Sequence, residues 1–277
     1  MNAGSHAAAE RATAEEFVRA RLAAVALSDY PGSVPATLAQ AYACQEAALA
    51  LWPDQIVGWK VARIGASVQA QYPEERLIGP VFGRNLHIAA AGIVIDCPIY
   101  VGGFAAVEAE IGVYVRAGAP RGKTDWTAAS AADWVADMCI GVEIASSPLA
   151  TLNDLGPGAV ISDFGNNWGV IAGALIADWR AFNAELACET FIDGESVGRG
   201  IIAVPQTPLS AFAFALNKAA QRGRPLRAGD YISTGMITGV HDIKVGQQAR
   251  LAFGGCGEIL CRAVPAKPCQ MQQVNRA

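Results

Sequence analysis

The chain has 277 residues, 52% hydrophobic and 17% charged, and a formal charge of −4. That composition excludes a disordered or low-complexity protein and supplies apolar material for one large core. Lys and Arg number 21 against 25 Asp and Glu, so no basic stripe exists for a phosphate backbone and no nucleic-acid partner is expected.

No stretch of about 18 apolar residues runs without a charge or a breaker, so no membrane partner is expected either. Met1 to Thr13 has no positive segment followed by an apolar block and does not read as a signal peptide. The seven cysteines form no CxxC pair, and His6, His87 and His241 lie far from one another. The expectation is reduced thiols in a cytoplasmic protein, not a zinc site.

The first fifty residues read as helical. Thr13-Ala14-Glu15-Glu16 has the form of a capping box, followed by Val18, Leu22 and Val25 at helical spacing. Tyr30-Pro31-Gly32 breaks that helix, and Thr37-Leu38-Ala39-Gln40 opens a second one running to about Leu51. Residues 1–54 are therefore expected to form a helical N-terminal segment. Strand-like runs then follow at 55–62, 77–82, 92–96, 107–115, 138–145, 169–176, 185–192, 200–204, 231–234, 249–253 and 258–264. A short helix is expected over 130–135. A longer one opens at Thr207-Pro208, buries Leu209, Phe212, Ala213 and Leu216, and closes at Gly223. Strands outnumber helices and do not alternate with them. The expected class is α+β, a mixed β-sheet roll or barrel over 55–264 with a helical N-terminal part, and a frayed tail over 265–277.

The segment from Val107 to Val115 carries the most chemistry. A strand has a period of two, so Val107, Ala109, Ile111, Val113 and Val115 face the core. Glu108, Glu110, Gly112 and Tyr114 share the other face, with the glycine leaving space beside two carboxylates. In 138–145, Glu143 likewise stands among small residues on the non-core face. If these strands are neighbours, three carboxylates converge, and they repel one another unless a cation sits among them. An all-oxygen set with room for water suits Mg²⁺ or Mn²⁺. The plain alternative is solvated glutamates on the wet face of a sheet. Lys60 is the one charge in the apolar run 55–62. It is either a lysine snorkelling from a strand end or one facing the carboxylates, able to bind an anionic substrate or move a proton.

These segments, in this order, resemble the fumarylacetoacetate hydrolase superfamily, and within it the branch of 2-keto-4-pentenoate hydratases and 4-oxalocrotonate decarboxylases. Gly58-Trp59-Lys60 is similar to that branch's Gly-aromatic-Lys strand. Val107-Glu108-Ala109-Glu110-Ile111 and Val142-Glu143-Ile144 are similar to its two metal strands. Ser162-Asp163 through Gly169, Ser233-Thr234-Gly235 with Thr238-Gly239, and Phe253-Gly254-Gly255 with Gly257 are similar to its loop, late motif and terminal hairpin. The resemblance implies a β-roll catalytic fold in a homo-oligomer, Mg²⁺ or Mn²⁺ on Glu108, Glu110 and Glu143, and Lys60 in the active site. Asp163 and Ser233 are expected as hydrogen-bonding partners there. The sequence departs from the branch at Val81, where an acidic pocket residue is expected, at Asn166 and Asn167 in place of serines, and at His241.

A divalent ion that chelates a small 2-oxo acid substrate through its carboxylate and 2-oxygen would act as a Lewis acid. On this reading the leading expectation is a hydratase, a lyase of 2-hydroxydienoates from aromatic-compound catabolism. The alternatives are a 4-oxalocrotonate-type decarboxylase, an acylpyruvate hydrolase using His87 or His241 as base, or a non-catalytic homologue that binds metal and oxo acid. A Rossmann dehydrogenase lacks its G-x-G-x-x-G context, and a serine hydrolase lacks its G-x-S-x-G elbow.

Overall fold

A computed structural model describes residues 3–182 and 184–269. Residues 270–277 of the expected tail lie outside them. In chain order the elements are α1 (Ala3–Ala23), α2 (Leu38–Leu51), β1 (Ile56–Arg63), α3 (Ala66–Gln69), β2 (Arg76–Phe82), β3 (Leu86–Ile88), β4 (Val94–Ile99) and β5 (Phe104–Val115). Then come α4 (Ala128–Ala131), β6 (Val135–Ser147), α5 (Pro157–Ser162), β7 (Asn167–Leu175), β8 (Ala184–Ile192) and β9 (Glu195–Val204). The chain continues with α6 (Gln206–Gln221), β10 (Tyr231–Ser233), β11 (His241–Asp242), β12 (Gln248–Phe253) and β13 (Gly257–Pro265).

Two mixed sheets form the body. The larger runs β2-β1-β10-β5-β6-β7-β3, with β11 also paired to β5; the smaller runs β4-β13-β12-β8-β9. Most pairs are antiparallel, but β1 with β10, β3 with β7 and β13 with β4 are parallel. The alternation read in β5 and β6 holds. Ile111, Val113, Met138, Ile140 and Val142 enter one apolar core, joined by Leu251, Phe253 and Ile259 of the smaller sheet. Leu209, Phe212, Ala213 and Leu216 of α6 enter the same core, and Gly223 ends that helix at φ 71°.

Three local expectations are revised. Thr13 is not a helix start, because the alanine-rich run before it has high helix propensity and carries α1 back to Ala3. The Thr13 hydroxyl is buried and donates to the Pro31 carbonyl at 2.6 Å, latching the loop to the helix. The short helix expected from Ser130 begins two residues earlier, because Thr127 and Ser130 form a reciprocal capping box. The expected tail is tied down at its start. β13 reaches Pro265, and the Ala266 and Cys269 amides donate to the Ile99 and Leu22 carbonyls. The Thr37 cap of α2 is present as read, accepting from the Gln40 amide.

Candidate metal centre

Antiparallel pairing of β5 and β6 sets Glu108 opposite Glu143 and Glu110 opposite Gly141. The strand period puts Glu108 and Glu110 on one face, and the register puts Glu143 beside them. One carboxylate oxygen from each of the three lies within 4.8 Å of the other two. Glu108 is 8% exposed, Glu110 0% and Glu143 1%, so this is not a wet sheet face. The adjoining glycines serve a purpose other than the one expected. A Cβ at Gly112 would stand 2.2 Å from the Tyr231 hydroxyl and one at Gly141 2.6 Å, so these positions admit the Tyr231 ring rather than water.

Lys60 faces the cluster. It is 3% exposed, and its Nζ lies 3.0 Å from Glu143 Oε1. The Ser233 hydroxyl donates to Glu110 Oε2, but Glu110 Oε1 and Glu143 Oε2 have no hydrogen-bond partner. Three carboxylates against one ammonium leave two negative charges in a desolvated place, which a divalent cation would neutralise. The donors are all oxygen, and two oxygens stand unpartnered, so the residues fit a hard ion such as Mg²⁺ or Mn²⁺.

The ionisation of these groups carries the same imbalance. Burial, then the charge of Glu143, push the Glu108 carboxyl up to about 8, with Lys60 opposing. Burial, then Glu143 and Glu108, raise Glu110 well above the ordinary carboxylate range. Burial alone would lower Lys60, but Glu143, Glu108 and Glu110 outweigh it and hold the amine above its ordinary value. In the metal-free protein these three carboxylates favour the ammonium form of Lys60.

A loop closes over Lys60. Phe164, Gly165 and Asn166 all have positive φ, at 53°, 71° and 62°. For Phe and Asn that is a sparsely populated conformation, held here by its surroundings. A Cβ at Gly165 would stand 2.8 Å from Gly79 Cα and 3.5 Å from Lys60 Cε, so the backbone presses directly on the strand pair that carries Lys60.

Arg21 of α1 holds this loop, and here the expected role of Asp163 is corrected. The Asp163 carboxylate does not face the triad; it is fully buried against the Arg21 guanidinium, with Nη2 at 2.9 Å from Oδ2 and Nε on Oδ1. Arg21 also donates to the Asn167, Ser146 and Asp163 carbonyls. Asp163 thus positions the loop. Ser233 stays with the site through Glu110.

A cavity of about 540 Å³ opens beside the triad. Lys60, Glu108, Asn166 and Thr234 line one part of it, and Arg63, Arg76, Leu77 and Ser67 another. Val81 is not on its wall. It is fully buried in a cluster with Cys139, Val170, Ala172 and Tyr231, and β2 reaches the cavity instead through Arg76 and Leu77. The altered pocket position expected at Val81 therefore falls elsewhere on the same strand. Neither histidine expected as a hydrolase base lines the cavity. His87 stacks on Trp168 with ring centroids 5.9 Å apart, and His241 Nε2 lies 3.0 Å from the Thr238 carbonyl.

Arg21, Arg63 and Arg76 escaped the sequence reading. An arginine on the buried stripe of a helix signals a partner to be found, but not which one. Nothing in the local pattern distinguishes Arg63 and Arg76 from ordinary surface charges at strand ends.

No family model and no curated protein sequence matches the chain. Solved structures do. 4-Oxalocrotonate decarboxylase from Pseudomonas putida G7, complexed with magnesium and adipate, matches at a TM-score of 0.75 and 23% identity, covering 95% of this chain and 99% of that one. The chain shares the fold of that decarboxylase. The same decarboxylase complexed with calcium and acetate gives a TM-score of 0.74 at 24% identity, covering 92% and 97% of the two chains. Fumarylpyruvate hydrolase from Pseudomonas aeruginosa, in complex with Mn²⁺ and pyruvate, gives 0.55 at 19%, covering 78% and 91%. Among the described residues, no helix is long and apolar enough to cross a membrane.

Proposed function

We propose that this protein is a divalent-metal-dependent lyase of small 2-oxo acids, with decarboxylation as its reaction and hydration as the second reading. One observation carries the metal-dependent part: three buried carboxylates converge beside a cavity with one ammonium among them. When bound by Glu108, Glu110 and Glu143, the ion would supply Lewis-acid stabilisation of charge developing on the substrate's 2-oxygen. Lys60, 3.0 Å from Glu143 and facing the cavity, can hold a substrate carboxylate or move a proton. The 164–166 loop shields Lys60 from bulk water, and Arg21 with Asp163 holds that loop. Ser233 fixes the orientation of Glu110.

Decarboxylation comes first because likeness to the 4-oxalocrotonate decarboxylase structures extends over nearly the whole chain. Hydration is retained because the ordered sequence motifs equally resemble hydratases of that branch. The test offers two substrates to protein loaded with Mg²⁺ or Mn²⁺. Carbon dioxide release from 4-oxalocrotonate supports the first reading, and loss of dienoate absorbance from 2-hydroxypenta-2,4-dienoate the second. Both activities should vanish with EDTA and return with metal. Absence of turnover on both, with no deuterium exchange at C3 of pyruvate, would favour a non-catalytic binding protein and overturn the proposal.

A further inference from the structure

Tyr231 belongs to the small apolar cluster with Val81, Cys139, Val170 and Ala172, and its ring packs edge-on against Tyr114 with centroids 5.3 Å apart. The residue is fully buried, and its hydroxyl has no hydrogen-bond partner among the described residues. A buried hydroxyl without a partner destabilises the fold in a way that a phenylalanine at the same place would not. Room for it is also made at some loss. Gly112 and Gly141 lie inside β5 and β6, where glycine weakens a strand. A Cβ at Gly141 would meet the Tyr231 hydroxyl at 2.6 Å and nothing else closer than 3.5 Å. That glycine therefore admits the oxygen itself, not the ring.

The register shows what that oxygen approaches. Tyr231 pairs with Tyr114 and Ser233 with Gly112, so both hydroxyl side chains of β10 share the face of Glu108 and Glu110. From its place opposite Tyr114 the Tyr231 ring leans along β5 toward Glu110, because its tip lies over Gly112 and Gly141. Gly141 is the residue directly opposite Glu110. Cβ positions in such a pair stand about 5 Å apart. The oxygen thus ends beside Glu110, whose Oε1 is also without a partner. Burial first, then the charges of Cys139 and Glu110, raise the Tyr231 phenol well above its ordinary range, so Glu110 is felt at that oxygen. The other polar group there, the Cys139 thiol, is a weak acceptor.

We propose that Tyr231 is a positioning residue for the metal centre, and that with the ion bound its hydroxyl donates to Glu110 Oε1, directly or across one water. Ser233 holds Oε2 of the same carboxylate, so the two side chains of β10 fix its orientation from both oxygens. Each oxygen keeps a second lone pair for the ion. Hydrogen bonds of this kind orient metal-ligating carboxylates and tighten metal binding. The inference rests on the metal-binding reading above and adds the group that aims Glu110.

The test is titration of the metal-free protein with Mn²⁺, followed by the electron paramagnetic resonance signal of the free ion, alongside urea unfolding. Tyr231→Phe removes one oxygen and should weaken Mn²⁺ binding about 10- to 100-fold, the range for losing a hydrogen bond to a metal ligand. It should leave the urea midpoint of the metal-free protein unchanged or raised, because the hydroxyl has no partner there. Gly141→Ala places a methyl group against that oxygen. It should weaken Mn²⁺ binding in the wild-type background and add nothing to Tyr231→Phe, as coupled positions do. Unchanged affinity in Tyr231→Phe, or weaker affinity together with a lower midpoint, would overturn the role of the hydroxyl while leaving the metal reading intact. Equal weakening by Gly141→Ala in both backgrounds would do the same. Failure of the wild-type protein to bind Mn²⁺ would overturn the metal reading and this inference with it.

Discussion

Two buried charge clusters lie on either side of the 164–166 loop, and they are built on opposite plans. In one, Arg21 and Asp163 balance each other, and the Arg21 nitrogens Nε, Nη1 and Nη2 and both Asp163 oxygens have partners. In the other, Glu108, Glu110 and Glu143 exceed Lys60 by two charges, and two carboxylate oxygens have none. Both are withdrawn from water, so burial alone does not tell a structural ion pair from a ligand site. Completeness does. A finished network stabilises a loop, whereas an unfinished one persists because something else completes it.

The sharpest way to break this contrast is to neutralise one acid in each cluster. Glu110→Gln should lower metal-dependent turnover by about 10⁴-fold or more, as expected on losing a metal ligand, while raising the urea midpoint of the metal-free protein, because burial and the neighbouring carboxylates disfavour a charge at that position. The same kind of change at Asp163 should do the reverse to stability. Asp163→Ala should cost about 3–5 kcal/mol in urea unfolding, because Arg21 is left buried and unpaired. If both clusters respond with the same sign in metal-free protein, the distinction fails.

The pH dependence sharpens the contrast at smaller scale. The Glu108 carboxyl is raised from an ordinary 4.5 to about 8 in the fold, and Glu110 is raised as well. Such groups hold protons more tightly when folded than when unfolded. Their stabilising contribution is complete below about 4.5 and is lost as pH rises through about 8. Lys60, raised above an already high value, stays charged throughout and adds no slope. Metal-free protein should therefore lose thermal stability from pH 5 to pH 8. Added Mg²⁺ should restore more at pH 8 than at pH 5, reaching about 2.7 kcal/mol at a hundred times its Kd. Equal Mg²⁺ shifts in melting temperature at both pH values would contradict protonated carboxyls at the site.

The smallest effect is expected where neither cluster is touched. Thr13→Val removes the hydroxyl that latches α1 to Pro31 and should cost about 1 kcal/mol of stability without changing metal affinity. Loss of metal binding in that variant would show that the helical segment acts on the site beyond holding its loop.

Much of this was legible in the chain. Alternation in 107–115 and 138–145 marked which side chains would face the core, and a lone lysine in an apolar strand marked Lys60. Those signals are local, because a strand assigns neighbouring residues to faces whatever surrounds it. The misreadings have non-local causes. Asp163 is taken by an arginine 142 residues earlier in the chain. Gly112 makes room for a tyrosine on another strand, not for water. Val81 packs inward while Arg76 and Leu77, from the same strand, reach the cavity.

By itself the sequence determined the mixed-sheet class, the helical N-terminal part, and which face of its own strand each of Glu108, Glu110 and Glu143 takes, since periodicity and residue type are properties of short segments. The tertiary structure alone decided that these carboxylates are buried and uncompensated and that Arg21 holds the loop above them. Each of those facts depends on which distant groups fill the space around a side chain, and that is settled only when the strands pair and the helices pack.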